Sequence, residues 1–338
     1  MSAKSASPTN QDVRDALDPV GALRRTLYRS AKQDGKRRFH SLYDKCFRLD
    51  VLWRAWIDVQ ANGGAPGVDG VTLGQVEESG VRPFLEGLAA ELRAKSYRPQ
   101  PLRRVNIPKP GQPGKTRPLS IPTIRDRVVM AAAKSILEPI FEADFLPVSF
   151  GFRPKRSAIQ ALDVVRAEVN RGAVWILDAD VSDCFGQISH SALMAQVGRR
   201  VVDGSMLALI RAWLKVGVLE HGSMLATASG TPQGSPVSPL LANVALHVLD
   251  EDWARSGWRL GALIRYADDL VVICPTKARA EEARRRVEQV LGTLGLALHP
   301  GKTRITCLAR GEGGFDFLGY HHHLVESWKW RGRWYLHR

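Results

Sequence analysis

A chain of 338 residues is long enough for two or three subdomains, each burying a core of its own, and is no peptide-sized module. Its 44% hydrophobic and 24% charged residues are ordinary for a globular protein, but 48 Lys and Arg against 34 Asp and Glu leave a net charge of +14, an excess that favours a polyanionic partner. Four separated cysteines (Cys46, Cys184, Cys274, Cys307) without a C-x-x-C pair exclude a zinc knuckle or a disulfide framework and fit a reducing cytosol. The longest apolar stretch, around Leu240 to Leu249, falls far short of the roughly 18 residues of a membrane span, so a soluble intracellular protein without a membrane partner is expected.

The first twenty or so residues are rich in Ser, Asn and Asp, without periodicity, and are expected to form a disordered lead-in. From Leu23 to His40, seven Lys or Arg face one acid. Leu42, Phe47, Val51, Leu52, Trp56 and Ile57 then recur at helical spacing until Gly63 and Gly64 stop them. The segment Arg93 to Arg127 is Pro-interrupted and holds ten basic residues against one acid, which predicts strands and loops facing a polyanion.

Ser157 with Gln160 forms a capping box that opens a helix carrying Ile159, Leu162, Val165 and Val169. Val174 to Val181 reads as a buried strand with two acids at its end, and Ser238-Pro239 as an N-cap and first helical position of a helix running to about Trp253. Leu263 to Ile273 predicts a tight hairpin with apolar arms and Ala267-Asp268-Asp269 at its tip. A helix with Ala283, Val287, Val290, Leu291 and Leu294 on one face follows. Strand, helix, hairpin, helix and strand in this order give an α+β architecture, a small antiparallel sheet backed by helices.

Two adjacent carboxylates at the tip of an apolar hairpin repel one another unless cations offset them. On its own the Asp-Asp pair reads as a solvated turn. Its apolar arms and the second acid-bearing strand, with Asp178 and Asp180, point instead to carboxylates converging at one sheet edge, a hard-oxygen site suited to Mg²⁺. Two such ions about 3.5–4 Å apart support nucleotidyl transfer.

In these blocks the chain resembles the reverse transcriptases of bacterial group II introns. The matching blocks are Gly-Ala-Pro-Gly-Val-Asp-Gly (64–70), Ile-Pro-Lys-Pro-Gly (107–111), Arg-Pro-Leu-Ser-Ile-Pro-Thr-Ile-Arg-Asp-Arg (117–127) and Ser-Phe-Gly-Phe-Arg-Pro (149–154). They continue with Asp-Ala-Asp-Val-Ser-Asp-Cys-Phe (178–185), Thr-Pro-Gln-Gly-Ser-Pro-Val-Ser-Pro-Leu-Leu-Ala-Asn (231–243), Tyr-Ala-Asp-Asp (266–269), Gly-Leu-Ala-Leu-His-Pro-Gly-Lys-Thr (295–303) and Phe-Asp-Phe-Leu-Gly-Tyr (315–320).

The resemblance implies a right-hand polymerase architecture: a lead-in over 1–22, N-terminal extension and fingers over 23–172, a palm over 173–325, and a basic aromatic tail over 326–338. Full-length relatives continue from that point into a helical thumb that doubles as the maturase region, so the tail is expected to be the start of a thumb the chain otherwise lacks. Asp180, Asp268 and Asp269 resemble the family's catalytic and metal-binding triad, holding two Mg²⁺ ions, with Asp178 and Asp183 as nearby decoys. Phe185 matches the aromatic that lies beneath the incoming sugar and excludes a 2′-hydroxyl. Gln233 matches the residue contacting the incoming nucleotide, and Lys109 and Arg117 match the basic residues that hold its triphosphate. Lys302 is expected beside the same site, and Arg153 in a structural or template-contacting place. The sequence departs from the family's pattern at Ser182 and Gly186, neither of them a metal ligand.

The implied activity is RNA-directed DNA synthesis on an RNA template and DNA primer, with dNTPs as substrates, in the nucleic-acid-associated cytoplasm of a bacterium and with a structured intron RNA as a further candidate partner. The alternatives are a truncated, inactive RNA-binding or maturase-like fragment, and RNA-templated RNA synthesis, which should not carry the bulky sugar gate. The closing aromatics and cations (328–334) read either as a base-stacking surface or as an unsupported stump, and His321 to His323 as a polar strand end.

Overall fold

The computed structural model describes residues 18–108, 114, 116–220, 223–225, 229–309, 313–328 and 334–337. Residues 1–17 of the expected lead-in, Lys109 and residues 329–333 lie outside the described residues. In chain order the elements are α1 (Pro19–Gln33), α2 (Tyr43–Cys46), α3 (Leu49–Asn62), α4 (Leu73–Ser79), α5 (Val81–Arg93), β1 (Leu102–Pro108), β2 (Thr116–Ile121), α6 (Ile124–Glu142), α7 (Ala158–Asn170), β3 (Trp175–Asp180), α8 (Cys184–Gln187), α9 (His190–Gly198), α10 (Gly204–Lys215), β4 (Val218–Glu220) and β5 (Ser223–Leu225). They continue with α11 (Ser238–Arg255), a 3₁₀ turn (Gly257–Arg259), β6 (Ala262–Tyr266), β7 (Asp269–Cys274), α12 (Lys277–Gly292), β8 (Arg304–Cys307), β9 (Gly314–Phe317), β10 (Tyr320–Glu326) and β11 (Trp334–His337). The α+β class expected from the sequence is the class observed.

The chain forms two compact units, each interrupted in sequence. The first comprises residues 1–144, 198–227 and 232–237. Its centre is α6, buried along nearly its whole circumference and capped by Thr123, whose hydroxyl accepts from Asp126 N–H. The expectation of an extended segment through Arg127 therefore fails at Ile124, because Thr123 opens a helix there. Asp126 turns inward, accepting from the Tyr97 hydroxyl at 2.6 Å and the Gln100 amide at 3.0 Å. Burial raises its carboxyl above the usual range, although these donors oppose the shift. Upstream, β1 and β2 form an antiparallel hairpin in a four-stranded sheet of order β2-β1-β4-β5, in which β1 and β4 run parallel.

Residues 19–22, expected to belong to the disordered lead-in, are helical. Asp18 caps α1 by accepting from Gly21 N–H, with Pro at the start of the helix. Arg200 is 3% exposed and binds the carbonyls of Ala31, Asp34 and Arg37 and the Asp144 carboxylate, tying α1 to the start of the second stretch of this unit.

The second unit comprises residues 145–197, 228–231 and 238–338, so α7 shares a unit with β3, and residues 198–227 do not. Its main sheet has the order β6-β7-β3-β8 with every pair antiparallel. Alternation puts Ile176, Ile264, Val271 and Ile273 in one core with Ala161, Leu162, Val165 and Val169 of α7. Leu177, Leu263, Leu270 and Val272 on the opposite pleat are buried too, which is why these strands read as continuous apolar runs. The Ser157–Gln160 capping box forms as expected, but Ile159 is 62% exposed and Ala161 takes its place on the buried face. At α11 the helix includes Ser238 itself, whose hydroxyl is buried without a hydrogen-bond partner, so Ser238 is no cap.

A three-stranded antiparallel sheet of order β11-β10-β9 completes this unit. Residues 334–337 of the tail form a strand: Leu336 enters the α7 core, and its amide donates to Asn170 Oδ1. His321 to His323 lie within β10 and not at a strand end, with His322 1% exposed and stacked on Phe315.

Candidate active site

The hairpin β6–β7 turns through two residues, Ala267 and Asp268, with Tyr266 and Asp269 as facing Cα partners. Ala267 adopts φ +58°, a left-handed conformation that costs a non-glycine residue about 1–2 kcal/mol. On the other side of β7, Asp180 at the end of β3 stands directly opposite Asp269. The backbone thus places Asp180, Asp268 and Asp269 at one end of one strand pair.

The charge of this corner is felt by every member. Loss of solvation raises Asp269 to about 6, helped by the negative charges of Asp268 and Asp180, although its side chain keeps an exposed face. Burial raises Asp268 as well, with Asp180 contributing. Lys302 offsets part of this charge: its Nζ meets Asp180 Oδ2 at 2.7 Å. Lys302 is delivered by a tight turn running beside the end of β3, where Ser182 N–H donates to Ala297, His299 N–H to Asp180, and Lys302 N–H to His299.

Asp178 shares the pleat of Asp180 but serves another purpose, since Arg304 Nε holds its Oδ2 at 3.1 Å. Asp183 is the left-handed residue before α8, φ +38°, and its carboxylate occupies the space that a Cβ on Gly186 would need. That packing accounts for glycine at 186. Neither decoy joins the triad.

Phe185 is half-buried at the start of α8, and its backbone is clamped by the segment 229–231. Thr231 N–H donates to the Phe185 carbonyl at 2.5 Å, and Ser229 Oγ to the Gly186 carbonyl at 2.9 Å. Gly230, at φ +84°, lies so close that a Cβ would sit 2.5 Å from the Phe185 oxygen. Edge-on to the Phe185 ring, with centroids 6.3 Å apart, is Phe152, which is 51% exposed and itself at φ +57°. Sequence reading passed over Phe152, Arg265, Asn243 and Asp250; the left-handed Phe152 and the helix-buried polar residues leave no local signal.

Arg153, beside Phe152, is structural: its guanidinium donates to the carbonyls of Leu146 and Ser149 at 2.7 Å and lies over the Phe145 ring. In the first unit, Arg117 is exposed on β2, and the Gln233 carbonyl accepts from Ser120 N–H at 2.7 Å, which fixes the Pro-Gln-Gly turn on the end of β2. Gly234, φ +106°, approaches Ser120 too closely for any side chain, with a Cβ 2.8 Å from its carbonyl oxygen.

The carboxylates of Asp180, Asp268 and Asp269 are oxygen donors of the kind a hard divalent cation takes; burial raises the proton affinity of Asp268 and Asp269, and the Lys302 ammonium is paired with Asp180. Among the described residues no three His, Cys, Asp or Glu side chains stand close enough together to hold a metal ion by themselves, so an ion here would depend on water and substrate oxygens for further ligands.

Residues 107–322 match the family model described as reverse transcriptase (RNA-dependent DNA polymerase). Protein YkfC of Escherichia coli (strain K12) is 36% identical over 91% of this chain and 89% of its own length. The group II intron-encoded protein LtrA of Lactococcus lactis subsp. cremoris is 35% identical over 70% of this chain, which spans 39% of LtrA. Among solved structures, the Cas6-RT-Cas1–Cas2 complex aligns with 75% of this chain and 26% of its own at 24% identity and a TM-score of 0.47. From the family model, which matches well over half of the chain, the chain belongs to the reverse transcriptases, the RNA-dependent DNA polymerases.

Proposed function

We propose that this chain extends a DNA primer on an RNA template by two-metal nucleotidyl transfer, with Asp180, Asp268 and Asp269 holding two Mg²⁺ ions. The observation that carries the reading is the direct opposition of Asp180 and Asp269 at the strand ends, with Asp268 at the adjoining tip. Reverse transcriptases generally use divalent metal ions. Ions bound there supply Lewis acidity to the attacking 3′-hydroxyl and to the leaving pyrophosphate.

The chain's own residues do the rest. Lys302, paired with Asp180, neutralises part of the carboxylate charge and is a cation suited to a triphosphate oxygen. Phe185, held from behind by Thr231, presents a ring that leaves no room for a 2′-hydroxyl, so deoxynucleotides are preferred over ribonucleotides. By the family resemblance, Gln233, Arg117 and Lys109 are assigned to nucleotide binding. In this reading the second unit's four-stranded sheet is the palm and the first unit's hairpin belongs to the fingers. Template and hybrid bind through backbone charge and shape, as the net charge of +14 favours, and the protein works among nucleic acids in a bacterial cytoplasm.

The test is incorporation of labelled dTTP on an oligo(dT)-primed poly(rA) template with Mg²⁺, comparing wild type with Asp268→Ala and running UTP in parallel. Triad-dependent use of dTTP over UTP supports the reading. Equal silence of both proteins, with RNA still bound, would refute it.

A further inference from the structure

We propose that Arg265 is a positioning residue that fixes the Ala267–Asp268 turn, and hence the Asp268 carboxylate, by clamping it to α11 and to the segment 148–151. The side chain of Arg265 is fully buried, and each of its five N–H groups has an acceptor. Nε and Nη2 form a fork on Asp250 at 2.8 and 2.5 Å. Nη2 also donates to Ser149 Oγ at 2.8 Å, and Nη1 donates to Asn243 Oδ1 at 2.9 Å and to the Ala267 carbonyl at 3.0 Å.

The fork on Asp250 satisfies two of the five donors, and burial requires acceptors for the other three as well. The remaining donors converge on the turn and its neighbours. Asn243 Nδ2 continues the chain of bonds to the Gly151 carbonyl at 2.8 Å, and the Arg265 backbone is bridged to the same segment through Val148 O and Phe150 N–H. Gly151 then lies flat against the turn, where a Cβ would be 2.4 Å from Ala267 N. The turn is gripped from its carbonyl side by Arg265 and from its amide side by Gly151.

Ala267 needs that grip. A left-handed alanine persists only where its surroundings over-determine it, and Asp268 is the next residue in the chain. Lysine at 265 would keep the charge but could not reproduce the planar fork with its remaining donors.

The inference rests on the polymerase reading only in giving Asp268 a metal-holding task, so the test reads the turn itself as well as the reaction. On the full chain, hydrogen exchange is followed by mass spectrometry in wild type, Arg265→Lys and Leu291→Ala. Leu291 is buried on α12 and makes none of the clamp's hydrogen bonds, so its truncation controls for general destabilisation. Expected for Arg265→Lys is at least tenfold faster exchange at 267–270 with 175–179 unchanged. The Mg²⁺ concentration for half-maximal dTTP incorporation should rise at least fivefold, with KM for dTTP within twofold. Leu291→Ala should lower the melting temperature without either change. Unaltered exchange at 267–270 in a folded Arg265→Lys protein would overturn the proposal, as would equal shifts in Leu291→Ala. If Arg265→Lys does not fold, Asn243→Ala, which removes the link to Gly151, is held to the same outcomes. Should wild type incorporate nothing, the polymerase reading falls while the exchange result still decides the clamp.

Discussion

Asp180 and Asp269 face one another as Cα partners across β3 and β7, two acids on neighbouring strand ends with Asp268 beside them and Lys302 paired to Asp180. Like charges opposed across a strand pair are destabilising, so this corner is arranged for a cation that folding alone does not supply. The proton is the competitor. Because desolvation and its neighbours lift Asp269 to about 6, bound metal must displace a proton below that pH. We expect apparent Mg²⁺ affinity, followed by primer extension at fixed dTTP, to fall about tenfold per pH unit below pH 6 and to level off above it. In metal-free protein the sign is opposite for stability. The folded state holds this proton more tightly than the unfolded chain, so stability should decline as pH rises from about 4 to 6, and Asp269→Asn should flatten that slope in urea unfolding.

Lys302 is 57% exposed, and an exposed ion pair contributes little to folding. Lys302→Met should therefore leave the unfolding free energy within about 0.5 kcal/mol of wild type. Catalysis should respond differently, because the charge lies at the carboxylate corner. We expect kcat/KM for dTTP to drop at least tenfold, about 1.4 kcal/mol in the transition state, measured by steady-state primer extension. Wild-type kinetics in this variant would mean that Lys302 is only a surface partner of Asp180.

The Phe185 ring owes its place to a backbone clamp, so ring and clamp can be tested apart. Phe185→Val should open space beneath the sugar and raise the UTP-to-dTTP efficiency ratio at least tenfold, with little change in melting temperature. Gly230→Ala acts through the clamp: it places a Cβ within 2.7 Å of three backbone atoms of Phe185 and Gly186 at a left-handed φ, and should cost about 2 kcal/mol or more. Its discrimination should loosen too, because the carbonyl that anchors Phe185 must move. Unchanged discrimination in a destabilised Gly230→Ala protein would separate the clamp from the gate.

The parts legible in the sequence were those with short-range signatures. The Ser157–Gln160 box, the β6–β7 hairpin and the acid-bearing β3 announce themselves within a few residues, through cap chemistry, alternation and an apolar run. Other parts were hidden for definite reasons. Helix α6 is buried nearly all round, so it lacks an apolar stripe, and its Pro-rich, basic approach resembles a continuing extended segment. Arg265 and Asp250 look like charged residues that belong on a surface until the fold pairs them across 15 positions. Ile159 occupies a helical position whose neighbours are apolar, yet it faces away from the core.

Asp203 shows the same long-range logic in the first unit. Its Oδ1 caps α10 through the amides of Ser205 and Met206, both at 3.0 Å, and its Oδ2 accepts from Leu42 and Tyr43 at 2.8 Å. One carboxylate thus serves as a helix cap and as the anchor of a turn about 160 residues away. Burial would raise its pKa, but the four amides outweigh burial and hold it below the ordinary range. For an acid so depressed, the stabilisation is present above the unfolded value near 4 and is lost as pH falls through the lower folded value. Asp203→Ala removes the cap and leaves two amides of the 42–43 turn without an acceptor. We expect a loss of about 3 kcal/mol at pH 7 in urea unfolding, from roughly 1 kcal/mol for the cap and the remainder for the stranded donors. That difference from wild type should narrow progressively below pH 4, where protonation has already weakened the native carboxylate. A variant equally destabilised at pH 7 and pH 3 would place the loss in packing rather than in the charge.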